Sequence, residues 1–242
     1  MYYRIEIDGH SICYSFREEH TVDYFSVKLD VVNDPYDDII VIPKDAVDQY
    51  IRQFESSRGY AECMNALYMA SNVLLDAGYC AFHAVALMVN GKGYLIAAES
   101  GVGKSTQYMN LKKLYPDVVE IINGDKPFLQ FKDDQKVILH TSPWRGKERF
   151  GSDLRCELDS IILLRQADEN CLTKVDPKNA VVRCLRQFLY YPDSMEVIRK
   201  VCNLERRLLN QIPVFMFSNT GDLSSSELLY KKLLAEGAAS YV

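Results

Sequence analysis

Apolar and polar residues alternate with period two through the first third of the chain: Tyr3-Arg4-Ile5-Glu6-Ile7-Asp8, then Ser11 to Phe16, then Tyr24 to Val32. Side chains two apart share one face of a strand, so these read as half-buried antiparallel strands separated by Asp-Gly and acidic turns. From Ala61 to Leu75 the apolar residues fall at helical spacing, and Gly78 is the expected stop. A soft boundary near residue 79 then separates a small, mainly antiparallel β (α+β) module, residues 1–79, from residues 80–242.

Beyond it the period changes repeatedly. Phe82 to Val89 reads as an apolar strand, Asn90-Gly91-Lys92-Gly93 as a hairpin turn and Tyr94 to Ala97 as a second strand. Ser105 to Leu114 is helical, and Val118 to Ile122, Val137 to Thr141 and Leu158 to Leu164 are strand-like. Two helices follow, Asn179 to Leu189 after Pro177 and Ser194 to Leu209. The chain closes with a strand, Pro213 to Phe217, and a helix from Ser224 to Ala235 with Ser224 to Ser226 as caps. Strands interleaved with helices predict an α/β sheet sandwich for this part.

Composition sharpens this without redirecting it. Of 242 residues, 48% are apolar and 25% charged, an ordinary globular balance that argues against disorder. Apolar runs such as Ala84 to Val89 fall far short of the roughly 20 residues of a membrane-spanning helix, so no membrane association is expected. The first residues, Met-Tyr-Tyr-Arg-Ile-Glu-Ile-Asp, lack the basic-then-apolar order of a secretory signal. The seven cysteines are scattered, with no Cys-x-x-Cys, which suggests neither a disulfide framework nor a zinc site. The expectation is a cytoplasmic protein with reduced thiols. A net charge of -5 gives no support to nucleic-acid binding through a basic surface. The charge is unevenly divided, however: residues 1–80 hold 6 Lys and Arg against 14 Asp and Glu, the rest 22 against 19. A polyanionic ligand is therefore expected on the back module.

One motif names such a ligand. Ala98-Glu99-Ser100-Gly101-Val102-Gly103-Lys104-Ser105-Thr106 matches the phosphate-binding loop G-x-x-x-x-G-K-[ST], with Ala98 in place of the first glycine. A strand leads in and a helix leads out, so backbone N–H groups and the helix dipole converge on phosphate oxygens. Glu99 to Thr106 are the expected nucleotide-binding residues. Gly101 and Gly103 permit close backbone approach, Lys104 reaches the β- and γ-phosphates, and Ser105 is placed to ligate Mg²⁺.

A triphosphate site also needs a carboxylate, usually after the next buried strand. Asp125, at the end of the apolar stretch from Val118, is the candidate metal ligand or catalytic base; a turn-capping aspartate before Lys126-Pro127 is the competing reading. The strand Ile161 to Leu164 ends in Arg165-Gln166 and supplies no acid. His83 sits within an apolar run, where a lone histidine reads as core unless its neighbours say otherwise. The segment Thr141 to Gly151 is a loop by its Pro and Gly, and contains Trp144, Arg145, Lys147 and Arg149. It is either a solvated basic loop or one in which Arg145 or Lys147 neutralises charge on a transferring phosphoryl group.

The order of these parts resembles the HPr kinase/phosphorylase family, and more closely its smaller HPr-kinase-like relatives, whose fold is akin to phosphoenolpyruvate carboxykinase. The matching stretch runs from His83 to Ser105, with Glu99, Ser100, Gly101, Gly103, Lys104 and Ser105 in the loop. The resemblance implies that His83 is an active-site histidine. It also implies that Asp125 stands where the family has an Asp-Asp pair, and that Arg145-Gly146 and Phe150-Gly151 match Arg-Gly and Phe-Gly positions. It covers roughly residues 80 to 220. The departures are Ala98 and the flanking of a single Asp125 by Gly124 and Lys126.

The resemblance thus implies a P-loop kinase that uses ATP and Mg²⁺ to phosphorylate a hydroxyl, most plausibly a serine of a small protein or peptide, and self-associates. The alternative is a nucleotide-binding regulatory module without efficient transfer, in which ATP orders the Trp144 loop. A switch-type GTPase is disfavoured by the lack of Asn-Lys-x-Asp and of Asp-x-x-Gly after Asp125.

Overall fold

In the computed structural model, which describes residues 1–33, 39–99 and 101–240, the chain begins with the expected hairpin. β1 (Tyr2–Ile7) and β2 (His10–Ser15) pair with Ile7 opposite His10, leaving Asp8-Gly9 as a two-residue turn. Both turn residues have positive φ, +47° and +82°, as the primed turn matching strand twist requires. β3 (Asp30–Val32) adds to β1, and β4 (Ile39–Val41) runs parallel to β2, giving the order β3-β1-β2-β4.

Most of the expected strand from Tyr24 to Val32 is not extended pairing: Thr21–Tyr24 form a 3₁₀ turn, and only Asp30–Val32 join the sheet. Long-range contacts override the alternation, since Ser26 N–H donates to Pro143 O (2.8 Å) and the Phe25 ring packs 5.2 Å from Trp144. α1 (Lys44–Phe54) has no counterpart in the pattern reading. α2 (Arg58–Leu74) is capped by Ser57, whose hydroxyl accepts from Tyr60 N–H, and a 3₁₀ turn carries it to Gly78. There φ is +81° and an added Cβ would lie 2.8 Å from Phe131 O, so glycine is required twice over.

The run from Phe82 to Val89 is two strands. β5 (Tyr79–Phe82) and β6 (Val85–Val89) are broken at His83-Ala84, after which Asn90-Gly91 alone turns the chain into β7 (Lys92–Ala97). α3 (Lys104–Leu114) follows, then β8 (Val119–Asn123), β9 (Phe128–Phe131), β10 (Val137–His140) and β11 (Cys156–Gln166). β12 (Cys171–Val175) precedes α4 (Pro177–Leu185), which stops four residues short of the expected Leu189 because β13 (Phe188–Leu189) pairs with β5. α5 (Met195–Gln211), capped by Ser194, and β14 (Val214–Asn219) lead to α6 (Leu223–Leu229). Asp222, rather than one of the expected serines, caps α6, and the continuation to Leu234 is a π turn.

These strands form a ten-stranded mixed sheet, β13-β5-β9-β10-β11-β7-β6-β8, with β14 also on β11 and β12 on β14. β11 joins its two halves: Cys156 and Glu157 pair antiparallel with β10, while the rest runs parallel between β7 and β14. Both faces of the central strands are buried, as parallel strands require. Leu95, Ala97, Ile161 and Leu163 face a core that includes residues of α4 and α5, whereas Tyr94, Ile96, Ile162 and Leu164 face one with α3 and α6. The architecture is α/β with a large mixed sheet. A third core, built on α2 and the front sheet, also takes in Tyr79, Ala81, Phe128 and Trp144 from beyond residue 78. Among the described residues, no helix is long and apolar enough to cross a membrane.

Candidate phosphate and acid site

The turn between β7 and α3 carries the expected loop. Gly101 and Gly103 have φ of +83° and +113°, and an added Cβ at either would meet nothing within 4 Å. Glycine here therefore answers to backbone conformation, and the space above the loop is open. Ala98 lies outside the positive-φ set and is buried, so the first position of the motif does not demand glycine in this chain. Ser100 lies outside the described residues. Glu99 is exposed, Val102 half-buried and Thr106 exposed.

α3 starts at Lys104 with Gly103 as its N-cap and no side-chain cap, so first-turn N–H groups are left for an incoming acceptor. The Lys104 ammonium folds back to donate to Ala98 O at 3.0 Å and lies 3.5 Å from Glu99 O. Burial holds its pKa below the ordinary lysine value; the Asp125 charge opposes that, and the Lys126 charge adds to it. Ser105 is half-buried in the first turn, its hydroxyl making no hydrogen bond among the described residues. Beneath, buried Gln107 fixes the helix: its Nε2 donates to Asn219 Oδ1 (3.1 Å) and Ser225 Oγ (2.8 Å), and its Oε1 accepts from Ser226 Oγ (2.7 Å).

β6 lies between β7 and β8 and is antiparallel to both, so β8 ends at the edge of the sheet where β7 meets its loop. That topology brings Asp125 toward Lys104. Asn123 shapes the turn after β8, its Oδ1 accepting from the N–H groups of Asp125 (2.9 Å) and Lys126 (2.7 Å). His83 reaches the same place from the break between β5 and β6. Its N–H donates to Gln187 O (2.8 Å), Ala84 N–H donates to Asp125 O (3.0 Å), and His83 Nε2 lies 3.2 Å from Asp125 Oδ1.

The other Asp125 oxygen, Oδ2, accepts from the Lys126 ammonium. Burial alone would raise the Asp125 pKa. The His83 hydrogen bond and the Lys126 charge outweigh it and hold the carboxyl well below the usual carboxylate range. Sequence reasoning missed Lys126, noting it only as a neighbour where a second acid belongs. It is 8% exposed and its main chain is fixed, the carbonyl accepting from Ser142 Oγ at 2.6 Å. No short-range pattern marks a lysine that turns back on the preceding aspartate.

The Trp144 loop forms the outer wall. Gly146 has φ +78°, and a Cβ there would lie 2.9 Å from Asp125 Cβ. Trp144 is 3% exposed and its Nε1 donates to Cys63 O at 3.0 Å, which fixes the loop to α2. Arg145 does not present its charge to the site: Nε donates to Ser142 O (3.2 Å), Nη1 to Gly151 O (3.1 Å), and Nη2 lies 3.4 Å from Asp153 Oδ1. Its guanidinium holds the loop closed instead. Lys147 is exposed and has no ion pair or hydrogen bond among the described residues. The Tyr108 and Phe150 rings, 5.3 Å apart, link α3 to this wall.

The structure thus gathers Lys104, Asp125 and His83, adds Lys126, and assigns Arg145 to loop support. The residues present do not fit a magnesium ion anchored on Asp125. A divalent cation on Asp125 would stand against the Lys126 ammonium on Oδ2 and beside the His83 ring on Oδ1, a juxtaposition of like charges in a largely buried place. Among the described residues, no cluster of three His, Cys, Asp or Glu side chains could hold a metal. All seven cysteines are unpaired thiols.

No protein-family model matches the chain, and no curated protein does. Among solved structures, it is similar to the HPr(Ser) kinase/phosphatase from Coxiella burnetii, at 15% identity and a TM-score of 0.37. The match covers 62% of this chain and 94% of that one. A likeness at that level leaves the site to be judged on the chain's own residues.

Proposed function

We propose that the chain is a kinase that takes the γ-phosphoryl group of ATP to a hydroxyl, a serine of a small protein or peptide. The observation that carries this is the glycine-bent β7–α3 loop with Lys104 at its mouth, facing a His83–Asp125 pair across the sheet edge. Loop N–H groups and Lys104 hold the phosphates, and the acceptor hydroxyl enters on the His83 side. A carboxyl held well below its usual range is a weak base. Asp125 therefore orients His83 through Nε2, and the other ring nitrogen, Nδ1, which has no partner among the described residues, takes the hydroxyl proton. Catalysis is then chiefly positioning and charge stabilisation, as phosphoryl transfer requires. Residues 1–79 act as a buttress to the kinase-like part, through Trp144.

Nucleotide-driven ordering of the Trp144 loop receives no support, because Trp144 is already buried and bonded to α2. Purified protein with labelled ATP and serine-containing peptide pools should label an acceptor. His83→Ala should abolish labelling while retaining ATP binding. Retained labelling in that variant would remove His83 from the mechanism, and tight ATP binding without transfer in the wild type would favour a regulatory module.

A further inference from the structure

We propose that the Lys126 ammonium occupies the role of a divalent cation beside Asp125, so that this site binds a triphosphate through fixed protein charges, without magnesium. The inference rests on the phosphoryl-donor reading above and deepens it.

Three observations carry it. First, both Asp125 oxygens already carry a nitrogen donor, His83 on Oδ1 and Lys126 on Oδ2. A metal on Asp125 would either lie against the Lys126 ammonium or displace it, leaving a residue only 8% exposed without its partner. Second, the Lys126 main chain is fixed beside Asp125 and the side chain is largely buried. Its N–H is bound to Asn123 Oδ1 and its carbonyl to Ser142 Oγ, while Asn123 Nδ2 in turn donates to Ser142 O (3.2 Å) and Oγ (3.1 Å). Third, Lys104, whose ammonium sits over the loop at Ala98 O, lies within electrostatic reach of both Asp125 and Lys126.

Charge accounts for the consequence. Two free carboxylates beside a phosphate must be cancelled by a divalent ion before an anion can approach. Asp125 and Lys126 cancel each other, and Lys104 leaves the site positive with no ion at all. Neither Arg145, bonded to carbonyls, nor exposed Lys147 supplies that neutralisation.

The experiment is calorimetric titration of the full chain with inorganic tripolyphosphate, in excess EDTA and in excess magnesium. The wild type should bind in both, with dissociation constants less than about tenfold apart. Lys126→Asp should lose at least about tenfold in EDTA and recover with magnesium, whereas Lys126→Arg, which keeps the charge, should stay indifferent to the metal. Circular dichroism confirms that each variant folds; if Lys126→Asp does not, Lys126→Gln takes its place and should show the same loss in EDTA. Wild-type binding that appears only with magnesium would overturn the inference while leaving the donor reading intact. So would variants at 126 that bind like the wild type in EDTA. Absence of wild-type binding in both buffers would remove the donor reading and the inference with it.

Discussion

At the candidate phosphate loop, a stretch of seven residues suffices: Lys104 reaches back to Ala98, two glycines supply positive φ, and among the described residues a Cβ on either would meet nothing within 4 Å. At the wall carrying Asp125, local bonds are backed by distant ones. Asn123 bonds to Ser142, Gly146 closes against Asp125, and Trp144 is tied to Cys63 across 81 residues. One side is a local device whose first-turn N–H groups are left free, the other an assembly tied to distant parts of the chain. Under the proposed function, this contrast would divide the labour: the loop would adapt to its anion while the opposite wall would be preorganised for the reacting groups.

Five substitutions would break or sharpen that contrast. The largest loss of stability is expected for Trp144→Ala, about 3–5 kcal/mol by denaturant unfolding, because it empties a core site shared by α2 and the loop. A loss below about 1 kcal/mol would mean that the wall stands without the front residues. Lys104→Met should slow transfer by about 10²–10³ with no fall in melting temperature, since burial already disfavours the charge it removes. An unaltered rate would place the chemistry elsewhere.

Gly146→Ala and Gly101→Ala both force a side chain into positive φ, at about 1–3 kcal/mol each. Only at 146 does the new Cβ meet another residue, Asp125 Cβ at 2.9 Å, so that variant should be the less stable by about a further 1–3 kcal/mol. Equal losses in urea titrations would erase the distinction between open loop and closed wall. The smallest effect concerns acid. Because the Asp125 pKa is depressed on folding, its contribution is fully present above the unfolded value of about 3.9 and is lost as pH falls toward the folded one. The stability difference between wild type and Asp125→Asn should be flat from about pH 5 to 8 and shrink below about pH 4, followed by melting at each pH.

What could be read in advance divides along the same line. The Asp8-Gly9 hairpin, α2 with its glycine stop, and the β7–α3 loop depend on neighbours in sequence, and pattern and turn chemistry located them. The alternation from Tyr24 to Val32 misled because Ser26 and Phe25 bind the loop around residues 143–144. The apolar run through His83 concealed a break, since apolarity records burial and the break is fixed by Gln187 and Asp125. α1 went unread, and so did β9, which pairs with its neighbour β10 and with distant β5, and β12, whose partner is β14. Asp125 was picked from its place after a buried strand, and the structure sets it beside His83. Lys126 and the inward turn of Arg145 were not legible, because a cation's partner is decided by tertiary geometry.

The chain has one tryptophan, and it is the side chain that closes the outer wall against α2. Its indole emission is therefore an intrinsic optical gauge, without label or mutation, of whether the reacting side of the molecule is assembled. A red shift preceding the loss of far-ultraviolet ellipticity during unfolding would mark the loop peeling from the helix before the sheet dissolves.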